Sequence, residues 1–187
     1  TKFMANIKKG NEIDIMGPLG RGYDVLSLKK GQTALLVGGG IGVPPLYELA
    51  KQFNKRGIKT ITILGFNSKD EVFYEDEFKK FGETYVSTVD GSVGTKGFVT
   101  DVIKKLQEEN KLVFDKYYSC GPAPMLKALI SAVGEDGYIS LENRMACGIG
   151  ACYACVCKKK KKDKNKDDYT RVCYDGPVYL ASDVEIE

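Results

Sequence analysis

Hydrophobic and polar residues follow two alternating patterns between residues 32 and 135. Short apolar runs predict buried strands, and they are QTALLVGG, IKTITILGF, ETYVSTV and VFDKYYSC. The segments that follow them place apolar residues at helical spacing, and they are VPPLYELAKQFNKRG, DEVFYEDEFKKFG, GFVTDVIKKLQEEN and PAPMLKALISAVGEDG. Strands that alternate with helices predict an α/β fold, in which a parallel sheet is covered on both faces.

The two ends of the chain have different patterns from this central region. Residues 1–28 contain one candidate strand, Glu12–Met16, and a turn rich in glycine and proline, and they are too short for a domain. Residues 138–187 are rich in cysteine and poor in helix signals. We therefore predict the last strand of a truncated β-unit at 1–28, an α/β domain at 29–137 and a small separate module at 138–187.

A glycine-rich loop, 38-GGGIGVPP-45, joins the first predicted strand to the first predicted helix. Glycines permit a tight turn and a close approach of the backbone to a pyrophosphate, and the helix N-terminus offers free N–H groups. A proline at the start of the helix costs nothing, because its missing N–H would have no partner there. The loop predicts a dinucleotide site at Gly38, Gly39, Gly40, Ile41, Gly42 and Pro44. The alternative is an ordinary glycine-rich turn.

A second motif, 120-CGPAPM-125, follows the fourth predicted strand at its carboxyl end. Ligands of open α/β sheets bind at this edge, so we assign Cys120, Gly121 and Pro122 to the same nucleotide site. The alternative for Cys120 is a small buried thiol. The second strand ends in 64-LGFNSKD-70, which shows neither a clear acid for a ribose nor an arginine pair for a 2′-phosphate. This segment does not decide between NADH and NADPH.

Five of the six cysteines lie in one stretch near the carboxyl terminus. The spacing Cys147-x4-Cys152-x2-Cys155, with Cys173 after seventeen further residues, matches the plant-type [2Fe–2S] pattern. Zinc, which prefers two close cysteine pairs, and disulfides are the alternatives. We predict these four cysteines as cluster ligands and Cys157 as a bystander.

Composition narrows the chemistry further. The chain has no histidine, which removes the usual general base, the Ser–His and Cys–His nucleophile systems and a Rieske cluster. We therefore expect cofactor chemistry and no catalytic side chain. No secretory signal is seen and no apolar run approaches the roughly 20 residues of a membrane span, which predicts a cytoplasmic protein with no membrane partner.

The positive charge is concentrated in one segment. Residues 158–168 carry seven lysines and three aspartates, so the formal charge of +3 becomes −1 (+3 less +4) without them. A nucleic-acid-binding fold usually spreads its basic surface more widely, so no nucleic-acid partner is expected. We predict that the lysine run at 158–166 forms a solvated loop between the third and fourth ligands, and docking to an acidic partner is the alternative.

Together these motifs resemble the electron-transfer subunits of class 1B dihydroorotate dehydrogenases, in the ferredoxin–NADP reductase superfamily. The resemblance rests on 138-YISLENRMACGIGACYACVC-157 and 171-RVCYDGPVY-179, with the G-x-G-x-x-P form of the glycine loop and CGPAPM in the same order. It covers essentially the whole chain. It implies an FAD-binding barrel, of which 1–28 would be the carboxyl-terminal remnant, an NAD-binding domain and a [2Fe–2S] module.

The resemblance also implies cofactors and partners. Flavin contacts would come from Thr1, Gly17, Pro18, Leu19, Gly20 and Gly22, in an incomplete FAD site. Electrons would pass from NADH through FAD and the cluster to the FMN of a separate catalytic subunit, in a heterotetramer of two plus two subunits. There, dihydroorotate would be oxidised to orotate in pyrimidine (UMP) biosynthesis. Two alternatives are a related NAD(P)H-dependent flavin/iron–sulfur subunit of the sulfide dehydrogenase or transhydrogenase type, and a zinc-stabilised, non-enzymatic binding module.

Overall fold

A computed structural model describes residues 2–160 and 168–186. The strands are β1 (Thr33–Gly39), β2 (Lys59–Phe66), β3 (Gly82–Thr88), β4 (Thr95–Lys96), β5 (Lys116–Cys120), β6 (Gly137–Ser140), β7 (Val156–Lys158), β8 (Tyr169–Arg171) and β9 (Val178–Leu180). The α-helices are α1 (Lys2–Ala5), α2 (Val43–Lys55), α3 (Glu75–Lys79), α4 (Val99–Glu108) and α5 (Ala123–Val133). In these two ranges no helix combines the length and the apolar character that crossing a bilayer demands.

Seven strands form one sheet in the order β4-β3-β2-β1-β5-β6-β9. Strands β1 to β6 pair in parallel with their neighbours, and β9 alone is antiparallel. The predicted mostly parallel sheet is therefore confirmed, and each of the four predicted strands is present. Strands β7 and β8 form a separate two-stranded sheet.

The central strand β1 explains why its sequence is apolar at nearly every position. Leu35 and Val37 pack into one hydrophobic cluster with α4 and α5, whereas Ala34 and Leu36 pack into another with α2 and α3. Side chains alternate between the faces of a strand, so a strand covered on both faces needs an unbroken apolar run. The sheet is thereby held rigidly, with its carboxyl edge open to solvent.

The second predicted helix is shorter than the sequence indicates. The pattern predicts a helix through residues 70–82, but α3 spans only Glu75–Lys79, and Tyr74 before it has a left-handed φ of 64°. The aromatic side chains in this segment pack on the fold instead. The Tyr74 ring lies 5.0 Å from that of Tyr47, and the Phe73 ring lies 5.2 Å from that of Phe66. This aromatic packing outweighs helix propensity before Glu75.

The predicted strand Glu12–Met16 is wrong. This segment is irregular, and Ile13, Ile15 and Met16 are exposed. A strand needs a neighbour to satisfy its backbone N–H and C=O groups, and no other described segment pairs with these residues. The period-two apolar pattern alone therefore does not fix a strand here.

The sheet continues past the predicted boundary between the α/β domain and the cysteine module. Strand β6 pairs with β5, and β9, which comes after the cysteines, pairs with β6. Cys155, Cys173 and Ala181 are buried in the same hydrophobic cluster as α4 and α5. The three-part division at 28/29 and 137/138 stays a prediction, and the core runs through its second boundary.

Candidate nucleotide site and cysteine centre

A cleft of about 390 Å³ opens where the central parallel strands end. Its lining includes Gly39, Gly40, Gly65, Ser87, Pro122 and Met125. The glycine loop and the CGPAPM motif are distant in sequence, and they meet here because β1 and β5 are neighbours in register, with Gly38 opposite Cys120. The carboxyl edge of the sheet is the expected ligand position in such folds.

The glycine loop and the CGPAPM motif can approach each other closely because glycine has no side chain. A Cβ atom on Gly42 would overlap the carbonyl oxygen of Cys120, and a Cβ on Gly39 would lie 2.6 Å from the sulfur of Met125. Gly40 differs from both, because it has a left-handed φ of 52° and open space where its Cβ would be. The loop is therefore packed tightly on one side and leaves bare backbone on the other, as a cradle for a pyrophosphate requires.

The start of α2 differs in one detail from the prediction. The helix begins at Val43, so Pro44 occupies its second position. The missing N–H is harmless there too, since the first four N–H groups of a helix have no partner inside it. Ile41 is 78% exposed at the rim of the loop.

Two polar side chains in the cleft were not predicted. The Ser87 hydroxyl is fully buried and has no hydrogen-bond partner among the described residues. Glu71 lines the same cleft, and the Asn67 side-chain amide donates a hydrogen bond of 2.8 Å to one of its carboxylate oxygens. A buried hydroxyl without a partner and an oriented carboxylate fit a ligand that carries hydroxyl groups. Glu71 lies one residue beyond the segment 64–70, so a wider window after the second strand would have found it.

Cys120 is buried at the end of β5. Burial raises the pKa of its thiol, and a hydrogen bond with Ser140 lowers it to a smaller degree. Tyr23 lies nearby and donates a 2.8 Å hydrogen bond to the carbonyl oxygen of Ser119. Cys120 is therefore a neutral, buried thiol beside the nucleotide loop. A neutral thiol is unsuited to nucleophilic chemistry.

The turn 17–22, predicted to contact flavin, lies against the cysteine module. The N–H of Arg21 donates a hydrogen bond to the carbonyl oxygen of Gly176, and Arg21 pairs with Pro177. A Cβ on Gly148 would touch Leu19 at 3.3 Å. Gly17, Pro18, Gly20 and Gly22 are exposed along this turn, and the predicted contact Thr1 lies outside the described residues.

The four predicted cluster ligands form two pairs of neighbouring thiols. The backbone N–H of Cys152 donates to the sulfur of Cys147 at 3.4 Å, and that of Cys173 donates to the sulfur of Cys155 at 3.3 Å. Among the residues that the structure describes, the six cysteines form no disulfide. A [2Fe–2S] cluster takes four thiolates, so the donor chemistry and the pairing fit that group.

The backbone around Cys147 favours the thiolate, which is the form that binds metal. Hydrogen bonds from the N–H groups of Cys152 and Ile149 lower the pKa of the Cys147 thiol to about 6. The pKa of Cys173 is raised, first by its hydrogen bond with Cys155 and then by burial. Within 2–160 and 168–186, no three His, Cys, Asp or Glu side chains are grouped as a site for a metal ion, and the four-ligand set stays a prediction.

The described ends of the segment between the third and fourth predicted ligands pair as antiparallel strands. Strand β7 pairs antiparallel with β8, which leads directly to Cys173. The lysine run is less free than its composition indicates, because Lys158 pairs with Glu185 at 3.1 Å and Lys160 with Glu135 at 2.7 Å. Residues 161–166 of the run lie outside the described residues. Cys157 is buried within β7, and its bystander role stays a prediction.

Two family models match this chain, one over the nucleotide cleft and the other over the cysteine module. A family model described as an oxidoreductase NAD-binding domain matches residues 36–130. A second, the iron–sulfur cluster binding domain of dihydroorotate dehydrogenase B, matches residues 142–185. The first range contains the glycine loop and CGPAPM, and the second contains the four predicted ligands.

Individual relatives carry the same description. The chain is 92% identical over its whole length to the dihydroorotate dehydrogenase B (NAD(+)) electron transfer subunit of Fusobacterium nucleatum subsp. nucleatum and spans 71% of that protein. It is 56% identical to the subunit of that name from Lysinibacillus sphaericus, over 70% of that protein. A solved structure of an NADH-dependent reduced ferredoxin–NADP oxidoreductase superposes with a TM-score of 0.82 at 32% identity, over 99% of this chain and 64% of that one. With the cleft and the paired cysteines in place, this identity shows that the chain belongs to the family of dihydroorotate dehydrogenase B (NAD(+)) electron transfer subunits.

Proposed function

We propose that this chain transfers electrons between NADH and the FMN of a dihydroorotate dehydrogenase catalytic subunit, through FAD and a [2Fe–2S] cluster. The observation that carries the proposal is the contact between the turn 17–22 and the cysteine module, through Arg21 and Gly176. It brings the residues expected to touch the flavin beside the loop that holds Cys147 and Cys152. Short separations between redox groups are what electron transfer through a protein requires.

The residues of the cleft would bind and orient the nicotinamide nucleotide. Backbone groups at Gly39 and Gly40 would receive the pyrophosphate, and the Ser87 hydroxyl would gain the hydrogen-bond partner that it lacks in the described structure. The buried, neutral Cys120 would give the nicotinamide an uncharged surface that excludes water. When bound, FAD supplies the exchange between a two-electron hydride donor and a one-electron cluster. No side chain is then required as an acid or a base.

Cys147, Cys152, Cys155 and Cys173 would hold the cluster through thiolates. The backbone N–H groups that bond to the sulfurs of Cys147 and Cys155 would remain as hydrogen bonds to ligand sulfur. Such bonds stabilise added negative charge and so help to set the reduction potential of a cluster. The family match to an iron–sulfur domain over 142–185 favours iron over the alternative of a zinc-stabilised binding module.

The surface around the cysteine loop fits a protein partner. Met145, Ile149, Tyr153 and Tyr174 all expose more than half of their surface. Large apolar side chains grouped on a surface are typical of interaction sites. We infer that the catalytic subunit docks here and brings its FMN towards the cluster, within a heterotetramer of two plus two subunits.

A second candidate is the same electron transfer towards another partner. The solved oxidoreductase with a TM-score of 0.82 has this build and is named for ferredoxin and NADP. Its 32% identity stands far below the 92% of the dihydroorotate dehydrogenase relative, which favours the first candidate. The deciding test is an anaerobic NADH titration of the intact subunit, with and without a dihydroorotate dehydrogenase catalytic subunit. We expect flavin and cluster absorption to bleach, and FMN reduction when the partner is present; if no band bleaches, the proposal fails.

Glu71 provides a test of nucleotide preference. We expect its free carboxylate oxygen to accept hydrogen bonds from the adenosine ribose and to repel a 2′-phosphate, which favours NADH. Glu71→Gln should lower kcat/KM for NADH about tenfold, the cost of one hydrogen bond to a charged group, and should narrow the preference over NADPH. Steady-state kinetics with both nucleotides measure this effect.

The matched control for Glu71 is its neighbour Asp70. Asp70 is exposed and belongs to the same short turn, but it is not part of the cleft lining. Asp70→Asn should leave the preference between the two nucleotides unchanged. Equal effects of the two substitutions would mean that general surface charge, rather than contact with the ribose, governs the preference.

A further inference from the structure

The side chain of Arg171 connects separate segments of the cysteine module. Its Nη1 donates a hydrogen bond of 3.1 Å to the carbonyl oxygen of Gly150, between the first and second predicted ligands. Its Nε and Nη2 donate to the two carboxylate oxygens of Asp175 at 2.9 and 3.2 Å. Asp175 lies two residues after Cys173, so one guanidinium joins the first ligand loop to the segment that follows the last ligand.

Two tyrosine rings lie against the same guanidinium. The central carbon of Arg171 is 4.7 Å from the ring centre of Tyr174 and 5.3 Å from that of Tyr153. Tyr153 lies between Cys152 and Cys155 and has a left-handed φ of 56°. The left-handed conformation is unfavourable for a non-glycine residue, so contacts with its surroundings must hold it there. The stack on Arg171 is one such contact, and it reaches the loop between the second and third ligands.

The position of Arg171 in the fold makes these contacts rigid. It is the last residue of β8 and lies opposite Val156, next to Cys155, in the β7–β8 hairpin. Its own N–H donates to Asp175 at 3.0 Å, so backbone and side chain bind the same carboxylate. Both side chains are about one quarter to one third exposed, and the interaction is therefore partly shielded from water.

We propose that Arg171 is a positioning residue for the cluster, and that its contacts with Gly150, Asp175, Tyr153 and Tyr174 hold the two cysteine pairs in register. The Cys147–Cys152 pair lies on the loop bonded at Gly150, and the Cys155–Cys173 pair lies on the hairpin that carries Arg171. The planar guanidinium is needed for this role, because it makes two hydrogen-bonded connections and stacks on aromatic rings at the same time. The inference rests on the proposed four-cysteine cluster and goes beyond it.

The test compares cluster retention in the intact subunit with four substitutions. Arg171→Gln removes the charge and the fork, Arg171→Lys keeps only the charge, and Asp175→Asn weakens the ion pair. Lys158→Gln is the matched control, since it breaks the exposed Lys158–Glu185 ion pair in the same module. The readouts are iron and acid-labile sulfide per chain, the rate of loss of visible absorption under excess chelator, and the EPR spectrum of the reduced cluster.

We expect Arg171→Gln to lose its cluster at least about tenfold faster than wild type, the range found when outer-shell partners of metal ligands are removed. Arg171→Lys should lose it several-fold faster with an altered EPR line shape, Asp175→Asn should fall between lysine and wild type, and Lys158→Gln should stay within twofold of wild type. NADH binding and circular dichroism establish that the α/β fold is intact. If Arg171→Gln does not fold, cluster retention in Arg171→Lys and Asp175→Asn tests the positioning role instead.

Three results would overturn the inference alone. If Arg171→Gln kept its cluster and showed the EPR spectrum of wild type, the contacts of Arg171 would not be needed to position the cluster. Full rescue by Arg171→Lys would assign the effect to charge alone. Equal loss in Lys158→Gln would assign it to general stability of the module. A wild-type subunit without iron would overturn the proposed function together with this inference, which separates the two failures.

Discussion

Replacing Cys152 with serine is expected to abolish the [2Fe–2S] cluster and to lower NADH-driven reduction of the catalytic subunit by at least about 100-fold, beyond the cost of losing an outer-shell partner. A serine hydroxyl stays protonated where the thiol becomes a thiolate, so one of the four ligand bonds is lost. Cys152 is exposed, and the substitution changes one atom. Loss of packing therefore does not explain the result. Iron and sulfide content, visible absorption and activity with the partner measure it.

Cys157→Ala is the matched control for this prediction. Cys157 lies two residues from Cys155 and is buried in the hydrophobic core, where alanine is compatible with an apolar environment. We expect its iron content and absorption to equal those of wild type. Loss of the cluster in Cys157→Ala with retention in Cys152→Ser would show that the ligand assignment is wrong.

Replacing Gly42 with alanine is expected to destabilise the nucleotide domain by about 3 kcal/mol, at the upper end of the cost of overpacking. The added methyl group would overlap the carbonyl oxygen of Cys120, and backbone cannot move aside as a flexible side chain does. The loop and the CGPAPM motif would separate, and the nucleotide cleft lies between them. We therefore expect NADH binding to weaken strongly as well. Urea unfolding and NADH titration measure the two effects.

Gly40→Ala tests the same loop without the overlap. Its Cβ would meet open space, and its φ of 52° costs alanine about 1–2 kcal/mol. We expect a smaller loss of stability than for Gly42→Ala. Gly42 itself has a φ of −75°, which alanine adopts freely. A loss for Gly42→Ala no larger than that for Gly40→Ala would therefore contradict the predicted overlap between the two motifs.

Local pattern predicted β1, β2, β3 and β5 because both faces of the sheet are covered there, whereas it did not predict the shorter strands β4, β6 and β9. Leu35, Leu36 and Val37 must all be apolar in such a strand, so the sequence carries a continuous signal. The segment Glu12–Met16 carries an alternating apolar signal but has no partner strand among the described residues, and it is irregular. Pairing depends on residues distant in sequence, which a local pattern does not record.

Some residues of the candidate site were also predictable from local sequence, whereas others were not. Spacing selected four cysteines as candidate ligands, because three of them recur at the short distances of the plant-type pattern and a fourth follows further along the chain. Spacing did not identify Arg171, Asp175 or Tyr153, which ordinarily read as surface residues. Their proposed role in positioning the cysteine pairs depends on the β7–β8 hairpin, which brings Arg171 beside Gly150.

The sequence by itself determined the family, and it predicted the nucleotide loop and a candidate set of cysteine ligands from residue types at characteristic spacing. Tertiary structure alone placed the turn 17–22 beside Gly176, brought Glu71 and Ser87 into one cleft, and extended the sheet through the cysteine module. The physical reason is the range of the interactions. Backbone conformation and ligand spacing are local properties of the chain, whereas a contact such as that between Arg21 and Gly176 depends on the packing of segments more than 100 residues apart.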